Sequence, residues 1–341
     1  MGADINRQIL LKSRPVGAPS EANFELVEAS VPEPADGQYL TKTVYLSLDP
    51  YMRGRMSGAK SYTDPQPLNA VMQGGTVGQV VISRHPGFAE GDYVLGFDGW
   101  QEYALSDGKG ARKLDPSSAP LSYALGVLGM PGLTAYAALL DVGRPKPGET
   151  VVVSAAAGAV GSVVGQIAKI KGCRVVGLAG TDEKCSIVID EFGFDACINY
   201  KTADLDSSLR AACPDGIDIY YDNVAGRILE AVLKQINQGA RIPLVGLISQ
   251  YNATELPPGP NLIPLLVKRA MIQGFLVFDH FHRTPDFLRE VLGWIDEGKI
   301  KYREHIVRDL ESAPRAFLGL FEGENVGKLI VQIGEDPTKV S

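Results

Sequence analysis

The chain has 341 residues, 45% hydrophobic and 21% charged, proportions that fit a folded globular protein and exclude a disordered, collagen-like or disulfide-scaffold chain. One compact domain usually takes about half that length, so two domains are expected. With 33 basic against 40 acidic residues and a net charge of −7, the chain offers no general attraction for nucleic acid or an anionic membrane.

The first segment, MGADINRQILLKSR, sets Asp4, Arg7, Lys12 and Arg14 around a short apolar run and lacks the uncharged core of a signal peptide. Asn6 stands where myristoylation wants Ser or Thr. The apolar stretch SAAAGAVGSVVGQIAKI is broken by Gly and ends at Lys169, too short to cross a bilayer. A cytoplasmic protein is expected. The first 130 residues alternate short apolar runs (Tyr39 to Leu48, Val77 to Ile82, Tyr93 to Phe97) with turn clusters at Pro32–Gly37 and Pro86–Asp92, which predicts a compact β-rich domain with little helix.

From about Gly132 apolar strands alternate with amphipathic stretches, the pattern of βαβ units around a parallel sheet. Strands are predicted at Thr150–Ser154, Arg174–Ala179, Ala196–Asn199, Ile217–Asp222, Ala240–Gly246 and Met271–Val277. Helices are predicted at Val160–Lys171, Asp182–Phe192, Leu205–Ala212, Arg227–Gln235 and Leu262–Arg269, with a last one near Pro285–Glu297. Together they predict an α/β fold with a doubly wound parallel sheet. Strands at Tyr302–Val307 and Lys328–Ile333 are expected to return to the first domain.

The strongest chemical signal is the strand Thr150–Ser154 followed by the small-residue turn AAAGAVG and a helix without bulk in its first turn. Ala156 takes the place of the first glycine of the dinucleotide fingerprint; Gly158 admits a pyrophosphate and Gly161 lets the helix pack on the strand. The helix N-terminus supplies N–H groups for that anion. The second strand ends in Gly180 and Thr181 rather than in an acidic residue, and Lys184 follows one turn into the helix. Room for a 2′-phosphate with Thr181 and Lys184 to bind it favours NADPH, while Asp182 keeps NAD open. The four cysteines, Cys173, Cys185, Cys197 and Cys213, are spaced 12, 12 and 16 apart, which fits small buried hydrophobes or surface thiols in a reducing compartment and not a zinc site.

The β-rich first domain, the central glycine turn and the C-terminal return resemble the medium-chain dehydrogenase/reductase superfamily over essentially the whole chain. More narrowly SLDPYMRGRM, AAAGAVGSVVGQIAK, GTDEK, FGFDACINYKT, YYDNVAG and ENVGKLIV resemble its prostaglandin reductase, alkenal double-bond reductase and bacterial curcumin reductase branch. The resemblance implies a GroES-like β-rich substrate domain over residues 1–130, completed by 310–341, and a Rossmann dinucleotide-binding domain over 131–309. Zinc-dependent members carry a Cys and a Gly-His-Glu segment where this chain reads Ser47–Met56 and Met72–Gly78, so a metal-independent enzyme is expected. The implied activity is NADPH-dependent reduction of the carbon–carbon double bond of an α,β-unsaturated ketone or aldehyde.

The same resemblance places Gly158, Ala159, Val160 and Gly161 at the pyrophosphate, Lys184 at the 2′-phosphate and Tyr200 near the adenosine end. It puts Asn223 near the ribose and Val245, Gly246, Ile248, Ser249 and Tyr251 along the nicotinamide half. Phe275, Leu276 and Val277 follow, and Asn325 closes over the nicotinamide from the other domain. Reducing an enone needs hydrogen-bond donors for the oxygen on which charge develops. A neutral phenol suits this, and Tyr251 and Tyr51 are the candidates beside a cofactor ribose hydroxyl. Arg53 and Arg55 could bind an acidic substrate tail or form structural ion pairs. His85, His280, His282 and His305 make no triad spacing with a Ser or Cys, and residues 250–286 are expected to border the substrate pocket. An NADPH:quinone oxidoreductase and a non-catalytic NADPH-binding protein are the alternatives. The apolar strand Met271–Val277 would be an open sheet edge in a monomer, so a homodimer is expected.

Overall fold

The computed structural model describes residues 5–255 and 257–338. It begins with strands β1 (Ile5–Leu11), β2 (Phe24–Ser30) and β3 (Tyr39–Ser47), a short helix α1 (Tyr51–Arg55), and strands β4 (Thr76–Ser83), β5 (Tyr93–Gly96), β6 (Tyr103–Ser106) and β7 (Arg112–Leu114). Helix α2 (Met130–Ala137) runs into a π-turn at Ala138–Gly143. Then come β8 (Thr150–Ser154), α3 (Gly161–Ile170), β9 (Arg174–Ala179), α4 (Asp182–Asp190), β10 (Ala196–Asn199), α5 (Leu205–Ala212), β11 (Ile217–Tyr221), α6 (Gly226–Leu233) and β12 (Ile236–Leu244). The chain continues through α7 (Ile263–Lys268), β13 (Met271–Gly274), α8 (Thr284–Asp296), β14 (Glu304–Arg308), α9 (Ala313–Glu322) and β15 (Lys328–Gln332).

Two compact units form. One comprises the residues up to Leu125, Glu304–Asn325 and the residues from Leu329 on; the other comprises Gly126–Arg303 and Val326–Lys328. The divisions fall after Leu125 and Arg303, against the expected 130 and 309. The 3-10 turn Leu121–Leu125 explains the first, because Leu121, Ala124 and Leu125 pack with Tyr45, Val77 and Ile330 in the β unit's core. Strand β14 explains the second, since it starts at Glu304 inside the β unit's sheet.

In the β unit the sheet order is β14-β15-β3-β4-β5-β7, with β6 also paired to β3, and β1 and β2 make a separate hairpin. The returning β15 pairs antiparallel with β3, Ile330 opposite Ser47 and Val331 opposite Leu46. A second core forms where Phe24 stacks on Trp100 at 5.4 Å and Phe317 of α9 meets both rings edge-on. Before residue 130 the helix is α1 and the 3-10 turns Glu21–Asn23 and Leu121–Leu125, in keeping with the expectation of little helix there; α9, in the returning segment, was not predicted.

In the other unit six parallel strands run β10-β9-β8-β11-β12-β13, the doubly wound arrangement in which the strand order reverses between β8 and β11. Such a reversal opens a crevice at the carboxyl ends of the two central strands, where ligands bind. The strands β8, β9 and β10 match the predicted spans. Strand β12 starts at Ile236 rather than Ala240, because Ile236 already pairs with Ile217 of β11; the polar Asn237 and Gln238 and the left-handed Gly239, at φ 73°, fall in an irregularity before the ladder resumes with Arg241 opposite Ile219. Strand β13 stops at Gly274 rather than Val277. Phe275 still donates its N–H to the Leu244 carbonyl, but its ring stacks on His280 at 4.4 Å and the chain bends into a 3-10 turn from Val277.

Candidate active site

The glycine turn is built from β8 outwards. Ala155 leaves the strand with φ 51°, the left-handed region, and turns the chain under itself so that Gly158 N–H donates to the Ala155 carbonyl at 2.9 Å. A Cβ on Gly161 would stand 2.3 Å from that carbonyl oxygen, so only glycine lets α3 begin here. Gly165 lies against Phe194 so closely that a Cβ would meet its ring at 1.8 Å. Gly158 and Gly327 form a parallel bridge, and Gly327 N–H donates to the Ala157 carbonyl at 2.8 Å. Gly158, Ala159, Val160 and Gly161 therefore form a turn of small side chains at the start of a ten-residue helix. This fits a pyrophosphate, which needs close backbone approach and the N–H groups of a helix terminus.

At the end of β9 the side chain of Thr181 caps α4, its Oγ1 accepting from the Lys184 N–H at 3.2 Å. Asp182, the residue that kept NAD open, instead accepts from Asn199 Nδ2 at 2.8 Å. The position before the cap is narrow: a Cβ on Gly180 would lie 3.2 Å from Tyr200 Oη and 3.3 Å from Lys201 Cε. Burial and the like charge of Lys201 pull the Lys184 ammonium below the ordinary lysine range. Arg227 adds a third cation, its guanidinium 5.7 Å above the Tyr200 ring and donating to the Tyr200 carbonyl. Three cations around Thr181 and Tyr200 fit a dianionic phosphate, which would relieve the repulsion. Thr181, Lys184 and Tyr200 are the residues expected from the sequence; Lys201 and Arg227 are not, since one is a cation two residues after β10 and the other sits in the first turn of α6, with nothing in the sequence to pair them.

The turn after β11 hangs from Asp222. Its Oδ1 accepts from Tyr220 Oη and from the N–H groups of Val224 and Ala225, at 2.8 to 2.9 Å. Asn223 bridges to β8, its N–H donating to Ser154 Oγ and its Nδ2 to the Ser154 carbonyl, both at 2.8 Å. The next strand end follows the same turn: Val245 and Gly246 donate to the Asp222 carbonyl, Ile248 to Asn223 and Ser249 to Val224. Asn223, Val245, Gly246, Ile248 and Ser249 are thus gathered at the carboxyl edge of β11 and β12. Tyr251, half-buried, follows directly, its Oη taking the Leu247 N–H at 3.5 Å. Phe275 and Val277 are buried and Leu276 is exposed beyond the neighbouring strand.

Tyr51 and Asn325 belong to the β unit. The Tyr51 hydroxyl is buried with no hydrogen-bond partner among the described residues, and burial pushes the phenol far above its ordinary range, with the nearby Asp49 charge adding to it. The Arg55 guanidinium lies 4.8 Å over the Tyr51 ring and 5.4 Å from the Phe97 ring, and donates to Gln73 Oε1. Tyr51 and Arg55 line a small solvent-open hollow together with Gly54, Ala59, Tyr62, Thr63 and Pro65. Arg53 is buried and donates to the Gly17 carbonyl at 2.7 Å. Asn325 lies in the loop between α9 and β15.

Two family descriptions match the chain: "N-terminal domain of oxidoreductase" over residues 7–114 and "Zinc-binding dehydrogenase" over residues 159–294. The Escherichia coli NADPH-dependent curcumin reductase is 53% identical over 97% of this chain and 98% of its own length. The chain belongs to the medium-chain dehydrogenase/reductase family, in its curcumin and alkenal reductase branch. Within that branch the tobacco NADP⁺-dependent 2-alkenal reductase is 44% identical over 97% of this chain and 98% of its own. The crystal structure of CurA from Vibrio vulnificus in complex with NADPH is 55% identical, covers 97% of this chain and 100% of that one, and superposes with a TM-score of 0.93. One of the matching descriptions names zinc; among the described residues no three His, Cys, Asp or Glu side chains gather as a metal site requires.

Proposed function

We propose that this chain is an NADPH-dependent enone reductase, delivering hydride to the β-carbon of α,β-unsaturated ketones or aldehydes, with phenol hydrogen bonds polarising the carbonyl. The observation that carries the reading is the full-length likeness to an NADPH-dependent curcumin reductase. The cation cluster of Lys184, Lys201 and Arg227 supports the preference for NADPH over NADH. When bound, NADPH supplies the hydride. Gly158, Ala159, Val160 and Gly161 would hold its pyrophosphate on backbone N–H groups. Thr181, Lys184 and Tyr200 would hold the 2′-phosphate end, and Asn223, Val245, Gly246, Ile248, Ser249 and Asn325 the ribose and nicotinamide. Phe275, Leu276 and Val277 would border that half and keep water from it.

Charge develops on the carbonyl oxygen as the β-carbon is reduced, and a donor aimed at that oxygen lowers the barrier. Tyr51 is suited to this, since burial keeps its proton in place and no acceptor among the described residues takes it. Tyr251 is the second donor. A homodimer is part of the same reading: β13 ends the sheet order with β12 as its neighbour, its residues largely exposed, and α7 before it exposes Ile263, Leu266 and Val267. A cytoplasmic location fits the four free cysteines.

The test follows oxidation of NADPH, then of NADH, with a 2-alkenal, an aryl enone and a simple quinone, and identifies products by mass. A saturated carbonyl formed faster with NADPH is expected. Turnover of the quinone alone, or tight NADPH binding without turnover, would overturn the proposal. In the same assay Tyr51→Phe and Tyr251→Phe separate the donors: loss of the operative one costs about 2–4 kcal/mol of barrier, a fall in kcat of roughly thirty- to thousandfold.

A further inference from the structure

We propose that Arg55 is a positioning residue for the Tyr51 phenol: its guanidinium holds the ring in one orientation and, as a fixed cation over the ring face, makes the hydroxyl a stronger donor to the substrate carbonyl. The inference rests on the reading of Tyr51 as a hydrogen-bond donor given above. Tyr51 and Arg55 open and close α1, four residues apart and so on one face of it. Met52 and Met56, also four apart, are buried in the core that holds Leu46 and Trp100, so α1 is fixed against turning about its axis. The Tyr51–Arg55 pair is therefore presented in one direction by packing that neither residue supplies.

The guanidinium is held from several sides. Its carbon lies 4.8 Å from the centre of the Tyr51 ring and 5.4 Å from that of Phe97, so two rings share one cation. Arg55 Nη1 donates to Gln73 Oε1 at 2.5 Å. Behind both residues stands Gln66, 1% exposed. Its N–H donates to the Arg55 carbonyl at 2.8 Å, its Oε1 accepts from the Gln73 N–H at 3.0 Å, and its Nε2 donates to the Val71 carbonyl at 2.9 Å. The residue that carries the cation and the residue that steadies it thus hang from the same buried glutamine. Such support for a group that must point one way is what a donor aimed at a reacting oxygen needs.

The arrangement also leaves the cation's charge unspent. Arg55 is held by two rings and a neutral amide, not by a carboxylate that would cancel its field. Tyr51 Oη and Arg55 Nε are both buried without a partner among the described residues, so the phenol proton is not committed to the fold. Burial and the Asp49 charge hold that proton on the oxygen, while the Arg55 charge works in the opposite direction. A phenol that is only buried keeps its proton but donates weakly; a cation over the ring restores donor strength without removing the proton. Lysine would not serve equally, because an ammonium cannot lie across a ring and reach a side amide as the planar, forked guanidinium does.

The experiment uses the full chain with NADPH and an uncharged 2-alkenal, and measures the single-turnover rate of NADPH oxidation and the KM for the alkenal in wild type, Arg55→Met, Tyr51→Phe and the double variant. Arg55→Met should lower the rate roughly three- to thirtyfold and leave the KM within about twofold. In the Tyr51→Phe background the same substitution should change the rate by less than about twofold, because an effect exerted through a phenol ends when the hydroxyl is gone. Gln73→Ala keeps the cation and releases its brace; it should give a smaller loss of the same kind, and it stands in if Arg55→Met does not fold. A readout independent of activity comes from the chain labelled with fluorotyrosine, in which the fluorine resonance absent from Tyr51→Phe is that of Tyr51. Arg55→Met should shift this resonance and leave those of the other tyrosines in place. Equal losses in the two backgrounds overturn the proposal, as does an unmoved Tyr51 resonance, or a raised KM at an unchanged rate, which would make Arg55 a substrate contact. If Tyr51→Phe turns over like wild type, the donor reading falls and this inference with it; if Tyr51→Phe is slow and Arg55→Met is not, the inference falls alone.

Discussion

Lys184 and Lys201 bring two positive charges to one side of Gly180, and the repulsion between them is what a phosphate dianion would cancel. A charge-assisted hydrogen bond of this kind is worth about 1.5–3 kcal/mol. Lys184→Ala should therefore raise the KM for NADPH roughly ten- to hundredfold while leaving that for NADH within about twofold. Steady-state kinetics with both cofactors checks this, and an equal loss for NADH would mean that Lys184 positions α4 rather than binding phosphate. The glycine turn was readable in the sequence because sterics permit no substitute: the Ala155 carbonyl leaves no room for a Cβ at residue 161. Lys201 and Arg227 were not readable. Each is an exposed cation on its own element, and only the pairing of β10 with β9 and the approach of α6 to Tyr200 give them a shared target. Arg53 reads the same in sequence as Arg55, yet one is buried on a backbone carbonyl and the other lies over Tyr51.

At the scale of an element, the turn from β11 into α6 depends on one carboxylate. Asp222 Oδ1 holds two backbone N–H groups and a tyrosine hydroxyl, and these fix Ala225 at φ 63°, a conformation an alanine does not adopt unaided. Asp222→Ala leaves those buried donors unsatisfied at about 1–3 kcal/mol each. It should lower the unfolding midpoint and raise the KM for NADPH, since Asn223, Val245 and Gly246 follow the turn. Asp222→Asn keeps the accepting oxygen and removes a charge that burial disfavours, so its midpoint should stay much nearer wild type. Thermal melts of the two variants separate a hydrogen-bond role from a charge role. At the far edge of the same sheet, Ile272→Lys on β13 should convert the expected dimer to monomer in light scattering, because an inward charge on an edge strand blocks strand pairing. A monomeric wild type would sink that reading. Elements were legible where one face is polar: α5 matches its predicted span, with Leu209 buried and charged residues outside. Helix α2 was invisible because seven of its eight residues are buried, which removes the polar face that periodicity needs.

Across the whole molecule, the chain leaves the β unit after Leu125 and rejoins it at Glu304, so the sheet around β3 is completed only by β15. The return is not a neutral link. Val326–Lys328 clusters with the nucleotide unit, where Gly327 N–H holds the Ala157 carbonyl and Lys328 N–H holds the Arg303 carbonyl, and Leu329 then enters the β unit's core. Gly327 can do this because its φ is 71° and its α-hydrogen faces Arg303; a Cβ there would lie 2.1 Å from the Arg303 oxygen. Gly327→Ala combines a left-handed alanine with that clash, together about 2–4 kcal/mol. The unfolding midpoint should fall by several degrees, and the fall should not be a stability effect alone. A ligand that binds the native state stabilises it in proportion to the logarithm of its concentration over Kd, about 2.7 kcal/mol at a hundredfold excess. Since Gly327 supports the turn that would carry the pyrophosphate, the variant should gain less from a fixed excess of NADPH than wild type does. Melts with and without NADPH measure the difference, and an equal gain in the two proteins would show that the return strand braces the fold without shaping the cofactor turn.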